Sequence, residues 1–336
     1  MHKKQPKQIA GHDLLPGAII KDNLFVPDID YGIPFSIICG SRPGPVLLLT
    51  AGIHNAEFVG IQAAIELSRE LVPEDLSGTV IIVPLANRSG FEHRTMSLIH
   101  EDGKNLNRVF PGNLNGTESE RIAFLLFHTL ILEADAYIDL HSGDGFEELT
   151  PYVYFVGDTA CEAESAAMAA CINTEHCVRS RCKTGGAYNL ASVNGIPSIL
   201  IERGQLSLFP RHQIEADKED VRNIMRSLGM LPGNPRTYPK QQLTETELSA
   251  PASGCWYPEL HAGNCFSAGD LLGTIRDYFG QTICCVRAPE NGFLLHQCAS
   301  LNIIEDGPML SYGTCLPADT DDPVAEINVL NRLQED

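Results

Sequence analysis

The chain has 336 residues, of which 43% are hydrophobic and 20% are charged, and its formal net charge at pH 7 is −19. This length suggests two domains with a large core, and the composition is that of a soluble globular protein. The negative charge disfavours polyanionic partners, because most of the surface would repel nucleic acid and anionic membranes.

The sequence also indicates the compartment. No apolar run reaches the roughly 18 residues that a membrane helix needs, and no apolar stretch follows the lysines near the N-terminus. The 11 cysteines are scattered and lack paired Cys-x-x-Cys spacing, which is typical of reduced thiols in the cytosol. We therefore expect a cytoplasmic protein with neither a membrane nor a nucleic-acid partner.

The first part of the chain alternates strand-like runs with helical patterns. Short strand-like pieces, broken by Pro and Gly, occupy 17–25 and 34–39. An unbroken apolar run predicts a buried parallel strand over 46–53, followed by a helix over 58–71 and another buried strand over 78–84. This alternation predicts an α/β fold with a mixed, largely parallel sheet that is covered by helices on both faces.

A long polar stretch over 87–116 interrupts the alternation. Structureless segments of this length inside a compact domain are usually functional, so we predict a functional loop. Capping-type residues then open a helix over 117–132, and an apolar strand follows over 136–140. Later elements are predicted as a strand over 152–156, a helix over 161–172, a strand over 196–201 and a helix over 215–228.

The pattern changes near the end of the chain. Three prolines and a glycine within 231–239 mark a predicted domain boundary. From residue 241, short strand-like runs alternate with glycine turns, which is typical of a small all-β domain. We therefore predict a catalytic domain over 1–240 and a β domain over 241–336, with an acidic tail from Pro317 that we expect to be loose.

Side chains of metal-ligand type follow two of the predicted strands. His54 and Glu57 come just after the strand over 46–53, and His141 directly follows the strand over 136–140. Open α/β sheets bind ligands beyond the carboxyl ends of their strands. Two imidazoles and one carboxylate can hold a catalytic zinc with a fourth position for water. Taken alone, His54 and Glu57 could instead be a surface histidine and a glutamate that favours the first turn of a helix. The presence of His141 favours the metal site, with one Zn²⁺ per chain.

Two further carboxylates are expected near this metal. Asp139 precedes His141 by two residues and so faces the same side of the strand, where it can hold the imidazole. Its alternative role is a strand-edge carboxylate or a cap. Glu202 follows an apolar strand and is the natural general base if it stays free of the metal. The alternative for Glu202 is a salt bridge with Arg203.

The long polar loop carries the predicted substrate clamp. The Arg108 guanidinium can fork onto a carboxylate, and Asn107 can add directed hydrogen bonds. Arg94, upstream in the same loop, is assigned to polarise the scissile carbonyl or to bind a second anion. The alternative for each arginine is an ordinary surface residue.

Four motifs in matching order resemble the succinylglutamate desuccinylase/aspartoacylase family. They are Gly-Ile-His-Asn-Ala-Glu at 52–57, Asn-Leu-Asn-Arg-Val-Phe-Pro-Gly at 105–112, Asp-Leu-His-Ser-Gly at 139–143 and Ile-Glu-Arg-Gly at 201–204. The resemblance covers roughly residues 35–310 and is nearest to the branch that contains N-acetyl-diaminobutyrate deacetylases. It implies a zinc-carboxypeptidase-like fold with a small C-terminal β domain that partly covers the site.

The resemblance also implies roles for the residues already singled out. It assigns zinc binding to His54, Glu57 and His141, and it makes Glu202 the base. The substrate-binding residues that it implies are Asn107, Arg108 and Arg94. One position departs from the family, because many relatives have Asp where this chain has Asn105. The family also uses a tyrosine from elsewhere in the chain, and the candidates are Tyr188, Tyr257 and Tyr312.

The sequence therefore predicts a zinc-dependent hydrolase that cleaves the amide bond of a small, carboxylate-bearing N-acyl amino acid or a related amide. A carboxypeptidase acting on short peptides is the first alternative. A metal-holding binding protein without turnover is disfavoured, because binding alone does not require a base such as Glu202. A structural zinc is disfavoured because such sites are closed by four ligands, usually rich in Cys. The acyl group, the amine and the oligomeric state, a homo-oligomer included, stay open.

Overall fold

The computed structural model describes residues 7–27, 29–181 and 185–315. Within these residues the chain forms one 13-stranded sheet, a four-stranded sheet and a two-stranded sheet, together with six α-helices. The predicted loose tail from Pro317 lies outside the described residues. None of the described helices is long and apolar enough to cross a membrane.

The helices are α1 Phe58–Glu70, α2 Arg88–His93, α3 Glu118–Thr129, α4 Glu162–Ala170, α5 Ala187–Val193 and α6 Arg211–Ser227. Single 3₁₀ turns occupy Pro73–Asp75, Leu106–Arg108 and Ile131–Glu133. The strands are β1 Gln8–Ile9, β2 His12–Asp13, β3 Ile19–Phe25, β4 Gly32–Cys39, β5 Arg42–Ala51, β6 Ser77–Val83, β7 Ala136–His141, β8 Glu147–Leu149, β9 Tyr152–Val156, β10 His176–Ser180, β11 Ser198–Glu202, β12 Gln241–Ser249, β13 Gly254–Pro258, β14 Cys265–Phe266, β15 Leu271–Arg276, β16 Thr282–Arg287, β17 Gly292–Cys298, β18 Asn302–Ile303 and β19 Pro308–Cys315.

The large sheet has the order β14-β17-β19-β12-β10-β9-β11-β7-β5-β6-β4-β3, and β8 pairs with β17 beside this path. Strands β6, β5, β7 and β11 are parallel neighbours. Strands β9, β10 and β12 form a second parallel set, which runs antiparallel to the first at the β11–β9 pair. The predicted mixed α/β sheet is confirmed, with its parallel pairs confined to the middle strands.

Helices cover both faces of the sheet, as the unbroken apolar strands require. Successive residues of a strand point to opposite faces. In β5, Leu47 and Leu49 pack into the core formed with α1, α4 and α6, whereas Val46 and Leu48 pack into the core formed with α3 and α5. All four side chains are fully buried, and each such burial stabilises the fold by about 1.5–3 kcal/mol.

Most predicted elements are present with ends shifted by a few residues, but the stretch over 87–116 is not structureless. It contains α2 and the 3₁₀ turn Leu106–Arg108. The Asn87 side chain accepts a hydrogen bond from the Gly90 N–H and so caps α2.

Hydrophobic periodicity in the sequence does not reveal β8, β10 or α5, because elements of three, five and seven residues show too little of a repeat.

In the C-terminal part, every regular element among the described residues is a strand, as predicted. Strand β12 pairs in parallel with β10, so β12, β19, β17 and β14 extend the large sheet. Strands β13, β15, β16 and β18 form the separate four-stranded sheet, which encloses the buried Trp256. The division into two domains at 231–239 stays a prediction.

Candidate active site

The three predicted metal ligands meet at the carboxyl ends of β5 and β7. His54 and Glu57 lie in the turn between β5 and α1, and Glu57 is the N-cap residue of α1. Gly52 begins this turn with φ +64°, a conformation that glycine adopts readily. His141 is the last residue of β7. Gly60 lets α1 approach that strand, because a Cβ there would lie 2.6 Å from the Leu140 Cβ.

The Glu57 carboxylate lies between the two imidazoles. Its Oε1 is 2.7 Å from His54 Nδ1, and its Oε2 is 2.8 Å from His141 Nδ1. One ligand atom from each of the three residues lies within 4.8 Å of the others, and no other such group of three occurs in the described part of the chain. Imidazole nitrogen and carboxylate oxygen are donors that Zn²⁺ takes in proteins.

Each imidazole also has an oxygen near its other nitrogen. His54 Nε2 is 3.1 Å from Asn105 Oδ1, and His141 Nε2 is 3.2 Å from Asp139 Oδ2. Asn105 Oδ1 also accepts a hydrogen bond from the Asn107 N–H at 2.8 Å. The Asn105 atom that faces His54 is therefore the oxygen, and the His54 Nε2–H donates to it. Metal-ligating histidines commonly donate their second N–H in this way. The donor set therefore fits a metal, and Asn105 still supplies an acceptor where many relatives have Asp.

Asp139 is itself held within the sheet. Its Oδ1 accepts a hydrogen bond from the Thr50 hydroxyl at 2.6 Å, and Thr50 is 2.6 Å from the Tyr137 hydroxyl. Burial opposes charge on His141, but the charges of Glu57 and Asp139 outweigh it and hold the pKa of His141 well above its ordinary value. Since a metal binds the neutral ring, metal binding would release a proton from this site.

Glu202 reaches the same place from the neighbouring strand. It ends β11 and lies opposite His141 in the parallel pair of β11 and β7. Its carboxylate forms no hydrogen bond or ion pair with any other described side chain. Burial raises the pKa of Glu202 well above its ordinary value, and the nearby Glu57 charge adds to this effect.

The alternative salt bridge between Glu202 and Arg203 is not formed. Arg203 is 3% exposed and points to the opposite face of the sheet. Its guanidinium lies 2.6 Å from Asp217 and 2.6 Å from Asp220, both on α6. The Arg203 N–H donates to the His141 carbonyl at 3.0 Å, which ties the ends of the two strands together beside the metal ligands.

Asn107 and Arg108 line the same cavity as the metal ligands and Glu202, and its volume is about 450 Å³. Asn107 is 5% exposed, and its Oδ1 accepts the Ala187 N–H at 2.9 Å, so its amide NH₂ is left for a ligand. Arg108 is exposed and donates to the Asn107 carbonyl at 3.1 Å. It pairs with no carboxylate of the described residues, as a clamp for an anionic group requires.

Arg94 is not brought to this cavity. It is the C-cap residue of α2, with φ 58°, and its side chain is exposed. The residues that line the cavity do not include it. A part for Arg94 in catalysis therefore stays a prediction that the geometry does not support.

The cavity contains further side chains that the motifs do not reveal. Of the three candidate tyrosines, Tyr188 lines the cavity, whereas Tyr257 and Tyr312 lie on β13 and β19 away from it. The additional polar lining residues are Glu147, Tyr152, Tyr154, Ser180, Asn189, Glu245, Glu247 and His296. They come from strands and loops distant in sequence, and no local pattern marks them as neighbours of the metal ligands.

The His54–Glu57–His141 set lies at the ends of parallel strands, with Glu57 and His141 buried and His54 partly buried. Beside it are the free carboxylate of Glu202 and the unpaired Arg108, a combination that suits a hydrolase. A profile of the succinylglutamate desuccinylase/aspartoacylase catalytic domain matches residues 43–228, which is more than half of the chain. The chain therefore belongs to the succinylglutamate desuccinylase/aspartoacylase family, and the predicted family is confirmed.

Individual relatives agree with this assignment. N-alpha-acetyl-L-2,4-diaminobutyric acid deacetylase from Halomonas elongata is 41% identical over 122 residues, which cover 36% of this chain and 34% of the relative. The product-bound structure of the ectoine utilization protein EutE (DoeB) from Ruegeria pomeroyi has a TM-score of 0.83 and 25% identity, and the match covers 93% of this chain and 100% of that chain. An aspartoacylase family protein from Mesorhizobium loti has a TM-score of 0.77 and 25% identity, with 91% and 98% covered.

The metal assignment predicts a difference in metal content between two histidine variants. We expect His54→Ala to lose most of the single divalent ion per chain, because one of three ligands is removed. His212→Ala is the matched control, since His212 is exposed on α6 and makes no contact with the described site residues. Elemental analysis of the purified proteins measures the difference, and equal metal content in both variants would contradict the assignment.

Proposed function

We propose that the protein is a zinc-dependent amidohydrolase that removes the acyl group from a small N-acyl amino acid. The observation that carries the proposal is one cavity that contains both the His54–Glu57–His141 set and the unpaired carboxylate of Glu202. Membership of a deacylase family agrees with hydrolysis of an amide bond. The deacetylase from Halomonas elongata acts on an N-acetylated amino acid, which is the substrate class proposed here.

Zinc would be held by His54, Glu57 and His141. When bound, zinc supplies a water whose pKa is lowered to about 7 and a Lewis acid that polarises a carbonyl. The side chains behind the ligands fix the imidazole tautomers, since Asn105 and Asp139 face the two Nε2 atoms.

Glu202 would act as general base and then as general acid. Its carboxylate has no competing partner and ends the strand that is paired with His141. It would take a proton from the attacking water and deliver that proton to the nitrogen of the leaving amine. Burial raises the pKa of Glu202 above its ordinary value, which is the direction that helps a carboxylate to accept a proton from water.

Arg108 and Asn107 would hold the carboxylate of the substrate. An unpaired guanidinium can donate two parallel hydrogen bonds to a carboxylate, and the free amide NH₂ of Asn107 can donate another. A cavity of about 450 Å³ lies within the range of small-molecule sites. This volume accommodates a small N-acyl amino acid, and the choice between a deacylase and a carboxypeptidase acting on short peptides is made by the activity test below.

The proposal is tested directly by incubating the zinc-loaded protein with a set of N-acyl amino acids and short peptides and measuring the amine released. Release from an N-acyl amino acid supports the proposal. Cleavage of the peptides alone would show a carboxypeptidase instead. Binding of N-acyl amino acids without release of amine from any compound would show a binding protein.

The role of Glu202 predicts the behaviour of Glu202→Gln. We expect this variant to keep its metal and to lose kcat by about 10²- to 10⁴-fold, which is typical of a missing general base. Steady-state kinetics and metal analysis on the same preparation measure both effects. Glu259→Gln, which changes an exposed glutamate distant from the cavity, is the control and should keep the activity of the parent. A near-normal kcat in Glu202→Gln would show that Glu202 is not the base.

The role of Arg108 predicts selective damage by Arg108→Lys. We expect kcat/KM for a carboxylate-bearing substrate to fall about tenfold or more, because an ammonium cannot reproduce the planar fork. The same substrate with its carboxylate converted to a neutral amide should be affected much less. Arg287→Lys, on the distal β16, is the matched control. An equal loss on both substrates would mean that Arg108 holds the loop and does not bind the carboxylate.

A further inference from the structure

One amide side chain lies between the proposed metal ligands and the residues of the proposed clamp. Asn105 is the N-cap residue of the 3₁₀ turn Leu106–Arg108, and its Oδ1 accepts a hydrogen bond from the Asn107 N–H at 2.8 Å. The same oxygen lies 3.1 Å from Nε2 of His54, which belongs to the turn over 52–57, here called the metal turn. A single atom therefore contacts a metal ligand on one side and the start of the 3₁₀ turn on the other.

Asn105 also sets the position of both clamp residues. The Arg108 N–H donates to the Asn105 carbonyl at 3.1 Å, so the backbones of Asn107 and Arg108 are both held by Asn105. Asn107 Oδ1 accepts the Ala187 N–H at 2.9 Å, which leaves the amide NH₂ of Asn107 for a ligand. A shift of Asn105 would move the start of the 3₁₀ turn and, with it, the hydrogen-bond donors of the clamp.

A second pair of amides holds the same loop to the metal turn. Asn87 and Asn55 are 0% and 1% exposed, and Asn87 Nδ2 donates to Asn55 Oδ1 at 2.9 Å. Asn87 Nδ2 also donates to the Leu98 carbonyl at 3.0 Å, and Leu98 pairs with Asn105 in an isolated β-bridge. Asn55 directly follows His54 in the chain. The loop is thus held to the metal turn at two points, so a shift of one segment is passed to the other.

A metal on His54 would act directly on the contact with Asn105. His54 Nδ1 is 2.7 Å from Glu57 Oε1, and its Nε2 is 3.1 Å from Asn105 Oδ1. An imidazole that ligates a metal through Nδ1 carries its N–H on Nε2, which here is the nitrogen that faces Asn105. The ligand bond would also fix the ring in place. Metal binding would therefore fix the hydrogen bond that reaches the 3₁₀ turn.

We propose that Asn105 is a positioning residue that couples the metal site to the clamp, so that metal binding fixes Asn107 and Arg108 in place for the substrate carboxylate. This coupling rests on the proposed function, and it adds an order of assembly in which the metal binds before the substrate. Such coupling is reciprocal, so a bound carboxylate would also stabilise the metal. The role needs one oxygen that accepts two N–H groups. Asp can supply that oxygen at position 105, whereas Ala cannot.

The first experiment follows backbone hydrogen exchange over 52–57 and 104–110 by mass spectrometry, with and without zinc and in the absence of substrate. We expect zinc to slow exchange over both segments of the parent protein, by about two- to tenfold over 104–110, as one hydrogen bond provides. In Asn105→Ala the slowing over 52–57 should remain, and the slowing over 104–110 should be lost. Asn105→Asp should restore it, because a carboxylate oxygen accepts the same two N–H groups.

Asn113→Ala is the matched control for this experiment. Asn113 lies in the same loop, is exposed, and accepts the Asn115 N–H at 3.0 Å, two residues further on, as Asn105 does with Asn107. This variant should respond to zinc as the parent protein does. Equal slowing over 104–110 in Asn105→Ala and in the parent protein would overturn the proposal. Slowing that is confined to 52–57 in the parent protein would overturn it as well.

Zinc affinity and steady-state kinetics give a second test on the same variants. Competition with a chromophoric chelator should show that Asn105→Ala binds zinc about 10- to 100-fold more weakly, because His54 loses the acceptor of its second N–H. With zinc in excess, KM for a carboxylate-bearing substrate should rise about two- to tenfold, with a much smaller change in kcat. Unchanged zinc affinity together with a loss confined to kcat would contradict the proposed coupling.

The exchange and activity measurements separate the coupling from the proposed function. If zinc slows exchange over 104–110 through Asn105 but no amide is hydrolysed, the coupling stands and the proposed function fails. If amides are hydrolysed but zinc leaves exchange over 104–110 unchanged, the function stands and the coupling fails. If zinc slows exchange over neither segment, the proposed metal site fails and the coupling fails with it.

Discussion

The shared contact of Glu57 with two imidazoles is the interaction on which the site depends. A carboxylate that is 4% exposed is costly unless it is paired. Burial works against its charge, but His141 and His54 outweigh burial and hold the pKa of Glu57 at about 2. The Ser142 N–H also donates to Glu57 Oε2 at 3.0 Å. An anion is thus fixed between two imidazole rings. Once both rings are neutral, the three side chains offer the nitrogen and oxygen ligands that Zn²⁺ takes in proteins.

The sheet topology brings this set together. β5, β7 and β11 are adjacent and parallel, so their carboxyl ends deliver His54, His141 and Glu202 to one place although these residues lie far apart in sequence. Alternation along β11 then separates two neighbouring charges. Glu202 faces the cavity, while Arg203 faces α6 and is neutralised by Asp217 and Asp220. The end of β11 therefore contributes the free carboxylate of Glu202, and the ion pairs of the next residue, Arg203, fix the position of this strand end against α6.

The central strands of the sheet and the polar residues that follow them could be predicted, because each strand is marked by an apolar run in the sequence. His54, Glu57, His141 and Glu202 all follow apolar runs, and parallel strands end at a common edge. Arg94 has no such signal, and the structure places it outside the cavity. The cavity residues Glu245 and Glu247 on β12, Glu147 on β8 and His296 on β17 could not be predicted as neighbours of the metal ligands, because their positions depend on how the C-terminal strands extend the sheet from β10. Nothing in the sequence around Glu245 and Glu247 shows that their strand, β12, pairs with β10.

The proposed metal site is tested most directly by a crystal structure of the zinc-loaded protein, with anomalous diffraction measured at the zinc edge. We expect one zinc peak per chain, bonded to Nδ1 of His54, Nδ1 of His141 and the carboxylate of Glu57, with Glu202 in the same cavity but not bonded to the metal. A zinc bonded by Glu202 as a fourth protein ligand would contradict the role of Glu202 as a free base. So would a zinc peak away from these three residues, because Glu202 would then have no metal-assisted water from which to take a proton.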